Sequence, residues 1–405
     1  MLWQPPLPPR YAKLNDDQLA AAIAARKQEL GRQLIILGHH YQQDDVIRFA
    51  DFDGDSFKLS QLAAEAVEQA GARYVIFCGV HFMAESADIL APPGTAVILP
   101  DLSAGCSMAD MADHDETVEA WQAIHEALAD TDFGRRGGRV IPVCYMNSSA
   151  AIKAFCGEHG GAVCTSSNCR RVFEWALAGG TEPVQDGAPI KILFLPDQHL
   201  GRNTAAAMGY DVVTAMCVWD PKDEGELGGC DAEQLERSTF IHWKGHCSVH
   251  KLFRPEHIDQ IRAQWPDVQV IVHPECCHEV VQKADMTGST EGIRKTIESA
   301  KPGTRWAVGT EVHMVSRLAR QAAERDVTVR ILSDCQCLCT TMYRIDMPHM
   351  LWVLDNLAEG KVVNQIKVDD QVKRWSLVAL NRMLELTGSG TTGAAQTPKA
   401  LAGSG

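Results

Sequence analysis

The stretch "LPDLSAG" (residues 99–105) returns in altered form as "LPDQHLG" (residues 195–201), and each copy follows an apolar run. A short apolar run leading into Pro, Asp and Gly reads as a strand delivering the chain to a loop. Working outward from the first copy, "QLIIL" (33–37), "RYVIF" (73–77) and "AVILP" (96–100) read as strands. Between them lie helical patterns: "DDQLAAAIAARKQEL", with Asn15 as N-cap and Gly31 at its end, and "SFKLSQLAAEAVEQAG", with Leu59, Leu62, Ala66 and Val67 on one face. Around the second copy the strands are "RVIPVCYM", "GAVCTS" and "IKILFLP"; further on come "VQVIVHPE", "TRWAVGT" and "VTVRILS". Strands alternating with helices predict an α/β fold of parallel sheets covered by helices. The echo and the three sets of strands predict an internal threefold repeat. The expected division is one α/β unit over 1–112, a second over 113–220, a third with C-terminal helices over 221–386, and a small, polar, disordered tail over 387–405.

The chain of 405 residues carries a net charge of −14. Nucleic acids and anionic membranes need basic surface, so neither is expected as a partner. No apolar run reaches the roughly 18 residues of a membrane span, and "MLWQPPLPPRY" lacks a signal-peptide layout. A cytoplasmic location is expected. Fourteen cysteines then point to metal or thiol chemistry rather than disulfides. Cys78, Cys144, Cys164 and Cys217 lie in apolar runs and read as core, and Cys230, in the acidic stretch "DPKDEGELGGCDAEQ", reads as incidental.

Three patterns carry chemistry. Ser56, Ser166 with Ser167, and Ser289 with Thr290 each stand where a helix opens, and helix N-termini receive carboxylates and phosphates. Ordinary N-capping is the alternative use of the same residues. Polar groups emerge at strand ends: His39, His40 and Tyr41 in "GHHY", Tyr145 and Asn147 in "YMN", His273 and Glu275 in "HPE". Together they offer acid–base groups and donors for an oxygen-rich substrate at the carboxyl ends of parallel strands. Cys106 in "SAGCSMAD", Cys247 in "GHCSVH" and the triplet Cys335, Cys337 and Cys339 in "CQCLC" form the third pattern. Three thiols set apart along the chain, without a Cys-x-x-Cys pair, fit a structural zinc site poorly and an iron–sulfur cluster with one open iron better. Cys276 and Cys277 in "PECCHE" are a rival thiol or zinc pair.

From about residue 32 to 386 the chain resembles the quinolinate synthase family. The resemblance rests, in order, on "GHHYQ", "GDS", "GVHFMAE", "PDLSAGCSMAD", "YMNSS", "CTSSN", "LPDQHLG", "GHCSVH", "VHPEC", "GST", "VGTE" and a final cysteine. It implies three αβα-sandwich units around a pseudo-threefold axis. It also implies condensation of iminoaspartate with dihydroxyacetone phosphate to quinolinate, with loss of phosphate and two waters. The cofactor implied is a [4Fe-4S] cluster held by three cysteines with one iron open. By resemblance the ligands are Cys106, Cys247 and Cys339, the last because x-x-Met follows it in "CTTM"; Cys337 is the substitute sulfur. Substrate contacts are implied for His39, Ser56, Tyr145, Asn147, Ser166, His273, Glu275, Ser289 and Thr290, with catalytic roles for Tyr41, Glu275, His273 and Tyr145. An aspartate-oxidising enzyme that supplies iminoaspartate is the expected partner. Three other readings stand beside it: another cluster-dependent hydro-lyase, a non-catalytic cluster carrier, and an inert scaffold with zinc.

Overall fold

The computed structural model describes residues 3–56, 58–59, 61, 67, 71–184, 187–334 and 337–388. Three separate sheets organise it. The first contains β1 (Leu34–His39), β2 (Phe52–Gly54), β3 (Tyr74–Cys78) and β4 (Ala96–Ile98). The second contains β5 (Arg139–Tyr145), β6 (Ala162–Cys164), β7 (Ile190–Leu195), β8 (Met216–Trp219) and β9 (Phe240–Trp243). The third contains β10 (Gln269–Val272), β11 (Met286–Thr287), β12 (Arg305–Gly309) and β13 (Thr328–Ile331). All these strands pair in parallel, while β14 (Gln365–Ile366) returns to run antiparallel to β4.

Strand order reveals the repeat. The sheets read β2-β1-β3-β4, β6-β5-β7-β9 and β11-β10-β12-β13, so each has its second strand outside its first and its third strand inside. In the second sheet β8 is added beyond β9 as an extra edge. The molecule is therefore three pseudo-equivalent parallel α/β units. The echo that led to this expectation is nevertheless out of register. "LPDLSAG" follows β4, the fourth strand of its unit, whereas "LPDQHLG" begins at the end of β7, the third strand of its own. The in-register likeness lies after the third strands, in "VHFM" (80–83) and "VHMV" (312–315), which open the helices His81–Leu90 and Val312–Ala323.

Strand interiors are buried on both faces, as parallel strands between helix layers require: β1, β3, β4 and β6 have no exposed residue. Helices start where the chain supplies caps. Asn15 and Gln18 form a reciprocal capping box for Asp16–Leu30, and Gly31 ends that helix at φ 52°. Of the face expected for the next helix, Leu59 and Val67 are buried; Leu62 and Ala66 lie outside the described residues. The last helix, Asp370–Thr387, lies across the second unit: Ser376 Oγ donates to the Ala150 carbonyl at 2.8 Å and Arg382 to that of Gly161 at 2.6 Å. A Cβ at Gly157 would stand 2.0 Å from the Trp375 carbonyl, so only glycine permits this crossing. The helix closes at Gly388 in the left-handed region, so Thr387, placed in the expected disordered tail, is helical instead; residues 389–405 of that tail lie outside the described residues. No described helix is long and apolar enough to cross a membrane.

Candidate active site

The carboxyl ends of the three sheets face one cavity. First strands contribute alike. β1 leads to His39 and Tyr41, β5 to Tyr145 and Asn147, and β10 to His273 and Glu275, and all six line the cavity. Second strands lead to Ser56, to Thr165 with Ser166, and to Thr290, which line it too. Cys106, Cys247 and Cys339 follow the fourth strand of each unit, counting β9 as the fourth of the second, and complete it. Ser289 is the one residue with an implied substrate contact that is absent from this lining: its hydroxyl caps the helix Thr290–Glu298, accepting from Gly292 N at 3.2 Å; His40 and Ser167, offered with the strand-end and helix-start groups, are absent as well. In the first unit the cap is a neighbour, Asp55 accepting from Lys58 N at 2.9 Å; in the second, Asn168 stands before the helix Cys169–Leu177 but its Oδ1 accepts from Thr165 N at 2.6 Å and caps no helix N–H.

The three thiols sit in the same local structure. Each cysteine lies three residues before a 3₁₀ turn, at Ala109–Met111, His250–Leu252 and Met342–Arg344. Each cysteine carbonyl accepts a hydrogen bond from four residues on: Asp110 N at 3.0 Å, Lys251 N at 3.1 Å and Tyr343 N at 3.0 Å. That turn aims backbone N–H groups at the sulfur, from Met108 and Ala109 to Cys106, from His250 to Cys247, and from Thr341 and Met342 to Cys339. Burial pushes the thiols up, Cys106 to about 12, and the three sulfurs are near enough for their charges to oppose one another. A cation bound among them would reverse that penalty and hold them as thiolates. Three convergent sulfurs, each with N–H donors and an apolar surround of Val80, Phe82, Met83, Met108 and Met342, fit an iron–sulfur cluster as a donor set. Cys337 is buried away from the cavity, its carbonyl accepting from Val312 N, and Cys335 lies outside the described residues. Of the rival pair, Cys276 is core and Cys277 half-buried, and neither lines the cavity.

Beside Cys247 runs a buried polar chain. Tyr41 Oη lies 2.8 Å from Thr310 Oγ1 and 3.2 Å from Thr290 Oγ1; Thr310 Oγ1 lies 3.1 Å from His250 Nε2, and His250 Nδ1 lies 2.8 Å from Glu275 Oε2. His250 also stacks on His273, with ring centroids 4.4 Å apart. His39 Nδ1 accepts from Tyr41 N at 3.1 Å and His273 Nδ1 from Glu275 N at 3.3 Å, the same contact in two units. Burial lowers both imidazoles, His273 to about 3, so each is neutral and carries its proton on Nε2. Burial alone raises the Glu275 carboxyl, but His273, His250 and the Tyr145 hydroxyl around it bring it below the ordinary carboxylate value. Burial and the Glu275 charge push the Tyr41 and Tyr145 phenols well up, so both keep their protons. No lysine or arginine lines the cavity among the described residues. His250 and Thr310 were missed in the sequence. His250 lay within the quoted "GHCSVH", three residues after Cys247, and Thr310 within "VGTE".

A family model described as quinolinate synthetase A protein matches residues 21–385. A quinolinate synthase of Acidobacterium capsulatum is 54% identical over 378 residues, which cover 93% of this chain and 95% of that protein. Those of Nocardioides sp. and Rhodopirellula baltica are 53% and 49% identical, covering 92% and 94% of this chain and 91% and 93% of theirs. With fold, cavity and near full-length likeness in agreement, the chain belongs to the quinolinate synthase family.

Proposed function

We propose that this cavity condenses iminoaspartate with dihydroxyacetone phosphate to give quinolinate, phosphate and two waters. Family membership implies an iron–sulfur cluster. Cys106, Cys247 and Cys339 would hold it as a [4Fe-4S] centre, and the observation that carries this assignment is their shared turn, repeated once per unit around one cavity. Held there, the cluster would supply Lewis acidity toward a departing hydroxyl. Cys247 Sγ, a His250 ring nitrogen and a Glu275 oxygen also lie within 4.8 Å of one another, so the acid–base chain begins beside the thiol wall.

The chain's own residues bind and move protons. Carboxylates and phosphate are held by helix starts at Ser56 and Thr290, by the turn at Ser166 and by the Nε2–H groups of neutral His39 and His273, so a cavity without lysine or arginine among its described lining still takes anions. Asn147 and Tyr145 add donors from the second unit. Tyr41, Thr310, His250 and Glu275 form a line in which each hydrogen bond can donate in one direction, from the phenol to the carboxylate. Shifting one proton along each bond moves a proton from Tyr41 to Glu275, which the isomerisation and dehydration steps need. Low dielectric strengthens each bond of the line. The reaction belongs in the cytoplasm, with iminoaspartate supplied by an enzyme that oxidises aspartate.

Iron content after anaerobic cluster reconstitution tests the ligand set. Cys106→Ser, Cys247→Ser and Cys339→Ser should each lose most cluster iron and its visible absorbance, whereas Cys337→Ser and Cys335→Ser should keep both. Full iron in Cys339→Ser, with loss in Cys337→Ser, would move the third ligand to Cys337.

A further inference from the structure

Two cysteines read as core and as incidental lie against each other far from the cavity. Cys217 sits on β8, the added edge strand, and Cys230 ends the acidic loop that follows. The loop folds back on its own strand: Asp220 N donates to the Gly228 carbonyl at 2.8 Å, and Gly228, at φ 57°, packs on the Trp219 ring. This return places Cys230 Sγ where it donates to the carbonyl of Val218, next in sequence to Cys217, at 3.3 Å, and brings the two sulfurs beside each other. Neither is in a disulfide. The buried Ser238 hydroxyl, which makes no other hydrogen bond, faces the Cys217 sulfur, and the Lys191 and Arg237 cations lie near it. Donors and positive charge around one sulfur favour its thiolate. Cys230, followed by Ser238, Lys191 and Arg237, holds Cys217 below the ordinary thiol value despite burial, while the neighbouring Cys217 sulfur and burial raise Cys230.

We propose that Cys217 and Cys230 are a reversible thiol-modification site that reacts with small neutral or cationic disulfides and closes into a disulfide pinning the 220–230 loop to β8. Cys230 is the half-exposed partner and reacts first. Its sulfur attacks one sulfur of the external disulfide as its proton passes to the Cys217 thiolate, and one small thiolate leaves. Cys217 then gives its proton to that leaving thiolate and displaces the second small thiolate from Cys230. Two protein sulfurs are oxidised, one external disulfide is reduced to a thiol and a thiolate, and no other oxidant is required. Charge selects the reagent: residues 220–231 hold five carboxylates and one lysine. An anionic disulfide is repelled there and a cationic one attracted. Cys144 with Cys156 and Cys164 with Cys169 also lie in contact, but all four are buried and serve as internal controls.

The test uses the anaerobic holoenzyme, incubated with cystamine or with oxidised glutathione, alkylated, digested and read by peptide mass spectrometry. The expected product joins the Cys217 and Cys230 peptides with loss of two hydrogens. It should form several-fold faster with cystamine at low salt, and the gap should narrow at high salt. Cys230→Ser should turn over substrate normally and form no such product. Closure should raise the melting temperature of the wild-type protein by a few degrees and leave that of Cys230→Ser unmoved. Alkylation of both Cys217 and Cys230 after cystamine treatment would overturn the proposal. Equal rates with the two reagents at low salt would overturn the assigned reagent class.

Discussion

Glu275 shows how placement decides what a side chain can do. A carboxylate buried without partners would be raised and neutral, but His250 at 2.8 Å and the Tyr145 hydroxyl make it a stable base. Glu275→Gln keeps the shape and loses the base, so it should retain cluster iron while turnover falls by roughly 10²- to 10⁴-fold. Rate and iron stoichiometry measured on one preparation check this, and near-wild-type turnover would remove Glu275 from the mechanism. At this scale much of the site was legible. Tyr41, Tyr145, His273 and Glu275 stood out because polar groups interrupt apolar strands just where those strands end. His250 and Thr310 did not, because their role comes from contacts with Tyr41 and Glu275 from other parts of the chain. Ser289 was legible as a helix start, but sequence does not say whether a serine at such a start caps the helix or faces a cavity.

Among elements, the turn that follows each cysteine matters most. Gly245 lies in the loop that carries Cys247, where a Cβ would come within 2.2 Å of the Pro196 carbonyl; at Gly105, beside Cys106, the nearest atom would be 3.8 Å away. Gly245→Ala should therefore displace the Cys247 turn, costing roughly 1–3 kcal/mol of stability and much of the bound iron. Gly105→Ala should lose neither, and thermal melts with iron analysis of both variants make the comparison. The helix Thr290–Glu298 offers a second test. Hydrogen bonds from Arg294 hold Glu291, in its first turn, down at about 2, below its unfolded value of 4.5. Its contribution is present above pH 4.5 and is lost as pH falls through 2. Glu291→Gln should cost below about 1 kcal/mol at pH 7, with the difference from wild type fading between pH 4.5 and 2 in denaturant titrations. A difference that stays constant across that range would show that the ion pair contributes nothing.

Across the whole molecule, the threefold plan was legible and its register was not. Three sets of strands announced three units, but the "LPD" echo matched the fourth strand of one with the third of the next. Strand order, which sequence does not display, supplied the true register: second strand outside the first in every sheet. The plan explains why one cavity collects a thiol, a strand-end pair and a helix start from each unit, since equivalent ends of equivalent sheets converge there. The central claim is that this shared cavity, loaded with its cluster, makes quinolinate. The most direct measurement is quinolinate formation from iminoaspartate and dihydroxyacetone phosphate by protein purified and reconstituted without oxygen. A brown protein that forms quinolinate and releases phosphate in equal amounts is predicted; a protein that carries a full cluster on these cysteines and forms none would contradict the account.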